Sequence, residues 1–282
     1  MNKMNEENII KSANLIFKYR LNNKEIKKIP KNLVPNNIQD AYKIQNKLSN
    51  ELLNLNNNYL IGKKIGCTNQ EAQKQLDITE PFYGNLFSKF SSTSGCELLS
   101  KNFSNPYIEP EFSFKLNQDI NISNAPFTLN EVKKFVEHVV ASIEIVDFRF
   151  KDDLKNIGIN KLIANNGASE FWIKGKKTIK LDNLDLNNHE VKVFINSKLI
   201  EKGNSSKVLE NPMNSFLQGV KTEVTSSKAF ISDLNNAFSN FTAYCKAAAT
   251  GFNDIQPLLA VDEVGFPALC AGLDFVITGN HQ

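Results

Sequence analysis

The 282-residue chain is poor in the side chains that most often carry enzyme chemistry. It has three histidines, His138, His189 and His281, none near another, so a zinc site or triad built on histidine has little to draw on. Its four cysteines, Cys67, Cys96, Cys245 and Cys270, form no C-x-x-C pair and read as reduced thiols, not as a disulfide framework or a zinc site. There is no glycine-rich dinucleotide fingerprint, no phosphate loop, no G-x-S-x-G elbow and no H-E-x-x-H. Arginine occurs twice, at Arg20 and Arg149, and the rest of the positive charge is lysine, scattered and interleaved with acids at a net charge of +3. Such a balance makes a solvated surface, not a nucleic-acid interface. Long apolar runs are also missing. The most apolar late stretch, Pro257 to Thr278, is interrupted by Asp262, Glu263 and Asp274, which excludes a membrane span there. The opening MNKMNEENII has no apolar core of a secretory signal, and no period of 20–50 residues repeats. The expectation is a soluble cytoplasmic protein whose 41% hydrophobic content suffices for a sizeable core.

The hydrophobic pattern predicts helices over 4–20 and 38–55. In the second, Ala41, Ile44, Leu48 and Leu52 recur at three- and four-residue spacing and make one apolar face. A Pro-punctuated connection, KKIPKNLVP, separates the two. Beyond them lie strand candidates at 59–66, 111–116, in VVASIEIVDF and in EFWIKG, with short helices at 69–76 and 129–138. HEVKVFINSKLIEKG predicts a hairpin turning at Asn196-Ser197, and NPMNSFLQGV a helix with an Asn cap and Pro in its first turn. Helices first and strands after predict an α+β chain: a helical N-terminal segment, 1–58, followed by a mainly-β mixed-sheet domain, 59–282.

Two features suggest chemistry. In YIEPEFSF, Glu109 and Glu111 stand two apart and would share one face of a strand, flanked by Phe112 and Phe114. Glu144 sits inside the apolar strand SIEIVD. If these three are buried together, they need a compensating cation, and an all-oxygen donor set suits Mg2+ or Mn2+. If they face solvent on alternating strands, they are surface residues. The second feature is GKKIG, residues 62–66, in which Lys64 lies between glycines on a strand, where it could stabilise an enolate or carboxylate or simply be solvated.

In order along the chain, IGKKIGCTNQEAQKQLDITEPFYGNLF, YIEPEFSFKL, ASIEIVDFRF, LIANNGAS and INSKLIEKGNSSKVLENPMNS resemble the fumarylacetoacetate hydrolase superfamily. The branch they resemble is the 2-keto-4-pentenoate hydratase / 2-oxo-dienoate hydratase–decarboxylase group of aromatic-compound catabolism. The resemblance covers about residues 60–216, and the helical N-terminus fits the same branch. It implies a divalent-metal-dependent hydro-lyase that adds water to a 2-hydroxy-2,4-dienoate to give a 4-hydroxy-2-oxo acid. Carried over by position, it implies that Glu109, Glu111 and Glu144 are metal ligands for Mg2+ or Mn2+. It implies that Lys64 and Ser169 meet a small 2-oxo or 2-hydroxy-dienoic acid. It further implies a homo-oligomer, with a related decarboxylase as a second partner. Decarboxylation of a 2-oxo-enedioate on the same platform, or a catalytically impaired assembly subunit, are the alternatives.

Three departures stand against the pattern. Pro81-Phe82-Tyr83-Gly84 has Phe82 where hydratases of this group often carry an acid, and Asn165 replaces an Asp ahead of Asn166. The resemblance stops at about Leu217, leaving 218–282 as an atypical C-terminal part. Composition shifts nearby: asparagine, frequent up to about residue 240, becomes sparse, and after Lys246 there are four acids and no base. If this part arose from a reading-frame change, it should pack poorly.

Overall fold

The computed structural model describes residues 3–151, 154–235 and 258–262. It opens with helices α1 (Glu6–Leu21) and α2 (Ile38–Leu53), followed by strand β1 (Leu60–Gly66), helix α3 (Gln70–Leu76) and strands β2 (Phe82–Phe87) and β3 (Ser91–Thr93). The centre is the long antiparallel pair β4 (Pro106–Leu116) and β5 (Val136–Asp147), joined through helix α4 (Leu129–Phe135). Short helices α5 (Leu154–Ile157) and α6 (Ile159–Ala164) lead to β6 (Ser169–Lys180). The hairpin β7 (Glu190–Ile195) and β8 (Lys198–Asn204), helix α7 (Pro212–Asn235) and strand β9 (Leu258–Asp262) complete the described chain. Seven strands form a mixed sheet in the order β2-β1-β9-β4-β5-β6-β3, and β7 and β8 pair separately. The architecture is α+β with a helical N-terminal segment, as the order of periodic segments predicts.

Two apolar layers cover the sheet. On one side, Phe112 and Phe114 of β4 and Ile65 of β1 pack with Phe216, Val220 and Val224 of α7 and Val191 of the hairpin. On the other, the buried stripe Ala41, Ile44, Leu48 and Leu52 of α2 packs with Ile9, Ala13 and Ile16 of α1 against Phe82, Phe87 and Val146. Polar bonds add specificity to this second layer. The buried Gln45 side chain on α2 donates to the carbonyls of Tyr83 at 3.0 Å and Ile163 at 2.9 Å, satisfying two strand and helix ends at once.

The boundaries differ from the periodic reading where tertiary pairing decides them. Strand β4 begins five residues ahead of the predicted 111–116, because Ile108 pairs with Ile145 and carries Glu109 into the ladder. Helix α4 stops at Phe135, since Val136 already pairs with Leu116. The turn at Asn196-Ser197 forms as predicted, with φ of 49° and 63°, the left-handed pair that matches strand twist in a two-residue hairpin. Asn211 caps α7 as predicted, its side chain accepting from the Met213 amide at 2.8 Å. Within the compositionally distinct tail, β9 lies between β1 and β4, which argues against reading that whole tail as a poorly packed appendage. Cys245, Cys270 and His281 lie outside the described residues. Among the described residues no helix is long and apolar enough to cross a membrane.

Asparagine performs much of the local work. Asn5, Asn37 and Asn69 cap α1, α2 and α3 with side-chain oxygens, and Asn23, Asn57, Asn166 and Asn196 take positive φ. Asn166 does more than turn the chain. Its side-chain oxygen accepts from the Asn85 amide at 2.7 Å and its nitrogen donates to the Asn85 carbonyl at 2.8 Å, so one amide mimics a neighbouring strand against β2. Substituting Asn166→Ala removes both bonds at a fully buried, left-handed position. It should lower the unfolding free energy by about 3 kcal/mol, read as a drop in denaturant midpoint with an unchanged slope.

Candidate metal centre

The β4–β5 register builds the site. Cross-strand partners share a face, and β4 pairs Glu109 with Glu144 and Glu111 with Ser142. Period-two alternation adds Glu111 to the face of Glu109. The three carboxylates are all buried, and one oxygen from each lies within 4.8 Å of the others. Further along this face the Ser113 and Ser142 hydroxyls hydrogen bond to each other at 2.6 Å, closing the floor of the ladder without spending a carboxylate oxygen.

Strand alternation also sorts the two lysines of GKKIG. Lys64 points to the carboxylate face, where its Nζ lies 3.1 Å from Glu144 Oε2 in a pair that is almost wholly buried. Lys63 points the other way, to α7, with Nζ 3.1 Å from Glu223 Oε1 and 3.0 Å from Asn85 Oδ1. Burial pulls the Lys63 pKa down, but the Glu223 carboxylate and the Tyr83 hydroxyl outweigh it and hold it above the ordinary lysine value. Lys63 is a strut between β1 and α7. Lys64 is the positive group of the site.

Lys64 is walled in. The Phe82 ring centroid lies 5.4 Å from its Nζ, and Phe82 pairs with Gly66 across the β1–β2 ladder. Two glycines make room for that ring. A Cβ at Gly66 would come within 2.6 Å of Phe82 Cζ, and one at Gly167 within 2.7 Å of Phe82 Cε2 and 2.8 Å of Lys64 Cε. Gly167 belongs to a run, Asn166-Gly167-Ala168, in which all three residues have φ near +60° (58°, 63° and 61°). This strained turn brings the chain over Lys64 immediately before Ser169. Ser169 is buried at the start of β6, opposite Val146 and so on the carboxylate face, two positions along β5 from Glu144.

All five residues singled out in the sequence are therefore buried on one face of one sheet, three of them as a single carboxylate cluster. The donor set fits a hard divalent cation. Three ionised carboxylates with one ammonium leave two formal negative charges, which one such ion balances, and the ligands are oxygens alone. Histidine takes no part among the described residues. His189 packs edge-on against Phe112, whose ring points away from the carboxylates, and burial lowers its pKa. His138 sits opposite Lys115, toward the far end of the ladder. What sequence reading did not find is the enclosure: Phe82 is visible there only as a missing acid, and Gly66 and Gly167 as ordinary glycines.

No family model matches the chain. In sequence it is 28% identical over 174 residues to a 2-keto-4-pentenoate hydratase from Burkholderia vietnamiensis, an alignment covering 62% of this chain and 64% of that protein. The chain thus matches just under two thirds of the length of that hydratase. It is 26% identical over 220 residues to a 4-oxalocrotonate decarboxylase from Pseudomonas putida, covering 75% of this chain and 78% of the relative. The solved structure of 4-oxalocrotonate decarboxylase from Pseudomonas putida G7, complexed with magnesium and adipate, superposes with a TM-score of 0.77 at 19% identity, over 95% of this chain and 92% of that one. That likeness establishes the fold. Both branches named in the motif resemblance, hydratase and decarboxylase, occur among the relatives.

Removing one partner of a buried ion pair strands the other. Lys64→Met should destabilise the metal-free protein by about 3 kcal/mol in denaturant unfolding, and Lys64→Met with Glu144→Gln should recover part of that loss. A single variant as stable as the native chain would contradict a buried pair.

Proposed function

We propose that the chain is a divalent-metal-dependent lyase that hydrates a 2-hydroxy-2,4-dienoate to a 4-hydroxy-2-oxo acid. The observation that carries the reading is the convergence of Glu109, Glu111 and Glu144 beside Lys64 on a buried face, in a chain whose relatives include 2-keto-4-pentenoate hydratases. Glu109, Glu111 and Glu144 would hold Mg2+ or Mn2+. A bound ion would supply Lewis-acid stabilisation to the charge that develops on a 2-oxo acid.

The chain's own residues supply the rest. The Lys64 ammonium, held on Glu144, faces the region where negative charge develops on the substrate's 2-oxygen, and in a dry site that attraction is strong. Phe82, Gly66 and Gly167 keep water from Lys64 and hold its side chain in one direction. Ser169 offers a hydroxyl on the same face to orient the substrate carboxylate. In 2-hydroxypenta-2,4-dienoate, the enol proton is lost and C5 gains one, giving a 2-oxo-3-enoate. Water then adds its hydroxyl to C4 and its proton to C3.

One observation favours a second reading, decarboxylation of a 2-oxo-enedioate. Phe82 stands beside Lys64 at the position where the motif resemblance leads one to expect an acid, and the alignment with the 4-oxalocrotonate decarboxylase covers 75% of the chain against 62% for the hydratase. Loss of CO2 leaves its electron pair on an enolate whose charge the Lys64 ammonium would stabilise, and water need not be activated. Supplying each substrate separately and identifying the products decides between the two.

Chelator-stripped protein should be inactive toward the dienoate and regain activity with Mg2+ or Mn2+, and Glu109→Gln should lose at least about 100-fold in turnover. Full activity of either sample would remove the metal reading. Lys64→Met should bind Mg2+ more tightly by calorimetry, because a like charge beside the ion is gone, while its turnover falls. A chain that keeps the fold yet binds no Mg2+ would be the impaired assembly subunit.

A further inference from the structure

The chain's two arginines meet in one buried cluster that the proposed reaction does not use. Arg149 Nη2 pairs with Glu170 Oε2 and lies 3.2 Å from Asp147 Oδ2. Arg20 Nη2, reaching in from α1, lies 3.3 Å from both Glu170 Oε2 and the Glu170 carbonyl, and its guanidinium stacks on Phe90 at 4.8 Å. The Asp147 carboxylate accepts from the amides of Ser104 at 3.0 Å and Asn105 at 2.6 Å. All four ionisable groups are buried, and their formal charges cancel.

Glu170 occupies a special place in the ladder. The β5–β6 pair sets Glu144 opposite Trp172 and Ile145 opposite Phe171, then Val146 opposite Ser169, so Glu170 is the extra residue of a bulge. The parity of that bulge decides where Ser169 points. Residues three apart on a regular strand lie on opposite faces, so without the bulge Ser169 would face away from Trp172 and from Glu144. Absorbing one residue sets it opposite Val146, on the face of the carboxylates.

We infer that Glu170, gripped by Arg149 and Arg20, is a positioning residue that holds the bulge turning Ser169 onto the metal face. A one-residue slip in a ladder flips a side chain, and an anchored extra residue opposes the slip. Two cations converge on the bulged residue: Arg149 Nη2 reaches the carboxylates of both Asp147 and Glu170, and Arg20 Nη2 reaches the Glu170 side chain and carbonyl together. Because Arg20 comes from α1, the N-terminal helix helps set the site without touching it.

The inference rests on the proposed reading of Ser169 as a substrate contact, and the test separates the two. Calorimetry on the full chain loaded with Mg2+ would use oxalate, a two-carboxylate mimic of a 2-oxo acid, as the probe. Ser169→Ala, Glu170→Gln and Arg20→Met should each weaken oxalate binding about tenfold, as loss of one charge-assisted hydrogen bond does, with Mg2+ affinity within about threefold of the native chain. The double variant Ser169→Ala/Glu170→Gln should bind no more weakly than either single one, because both remove the same contact. Circular dichroism verifies the fold, and Arg20→Met, which leaves the Arg149 grip in place, carries the comparison if Glu170→Gln does not fold. Native oxalate affinity in Glu170→Gln and Arg20→Met, losses that multiply in the double variant, or an equal loss of Mg2+ affinity would overturn the positioning role alone. A native chain that binds no Mg2+, or an unaffected Ser169→Ala, would overturn the reading of the site itself and the inference with it.

Discussion

Three carboxylates brought within 4.8 Å of one another in a buried place constitute the interaction on which the rest of this structure turns. Each charge removed from water is costly, and like charges at this range repel, so the arrangement persists only with compensating positive charge nearby. Lys64 supplies one unit from β1, by way of the alternation that sends its neighbour Lys63 to the opposite face. A divalent cation fits the remainder. The apolar cover of Phe82 and the α1–α2 layer raises the strength of every charge–charge contact beneath it, which is the condition under which such a cluster can stabilise a developing enolate.

A second consequence is how the chain reaches its turns. It has thirteen glycines in 282 residues, and among the described residues four of the ten positive-φ non-glycine positions are asparagine. Asparagine tolerates the left-handed region and offers an amide to the backbone, so the same residue type caps α1, α2, α3 and α7 and, as Asn166, completes the edge of β2. Around the site, glycine stands where a Cβ would collide with its neighbours. Gly84 would drive a Cβ to within 2.5 Å of the Asn166 carbonyl, and Gly66 and Gly167 leave the space that the Phe82 ring fills.

Much of the fold was legible from local pattern. The α2 stripe, the hairpin turn at Asn196-Ser197 and the Asn211 cap depend on residues close in sequence, and all three formed as read. The carboxylates were legible in part. Glu109 and Glu111 share a face because they are two apart, whereas their meeting with Glu144 depends on which residue of β5 lies opposite Glu109. The arginine cluster gave a weaker signal: two arginines in a lysine-rich chain, 129 positions apart, with no pattern to say that Glu170 joins them.

The sequence by itself determined the donor types, the order of helices and strands, and the resemblance carried by ordered motifs, since these follow from residue identity and short-range periodicity. Tertiary structure alone decided the register. The β4–β5 ladder sets Glu109 against Glu144, the β5–β6 bulge sets Ser169 on their face, and the left-handed turn at 166–168 lays Gly167 over Lys64. A shift of one residue in either ladder would preserve every local preference and dismantle the site, because side chains alternate with period two and only contacts between distant segments select which face they share.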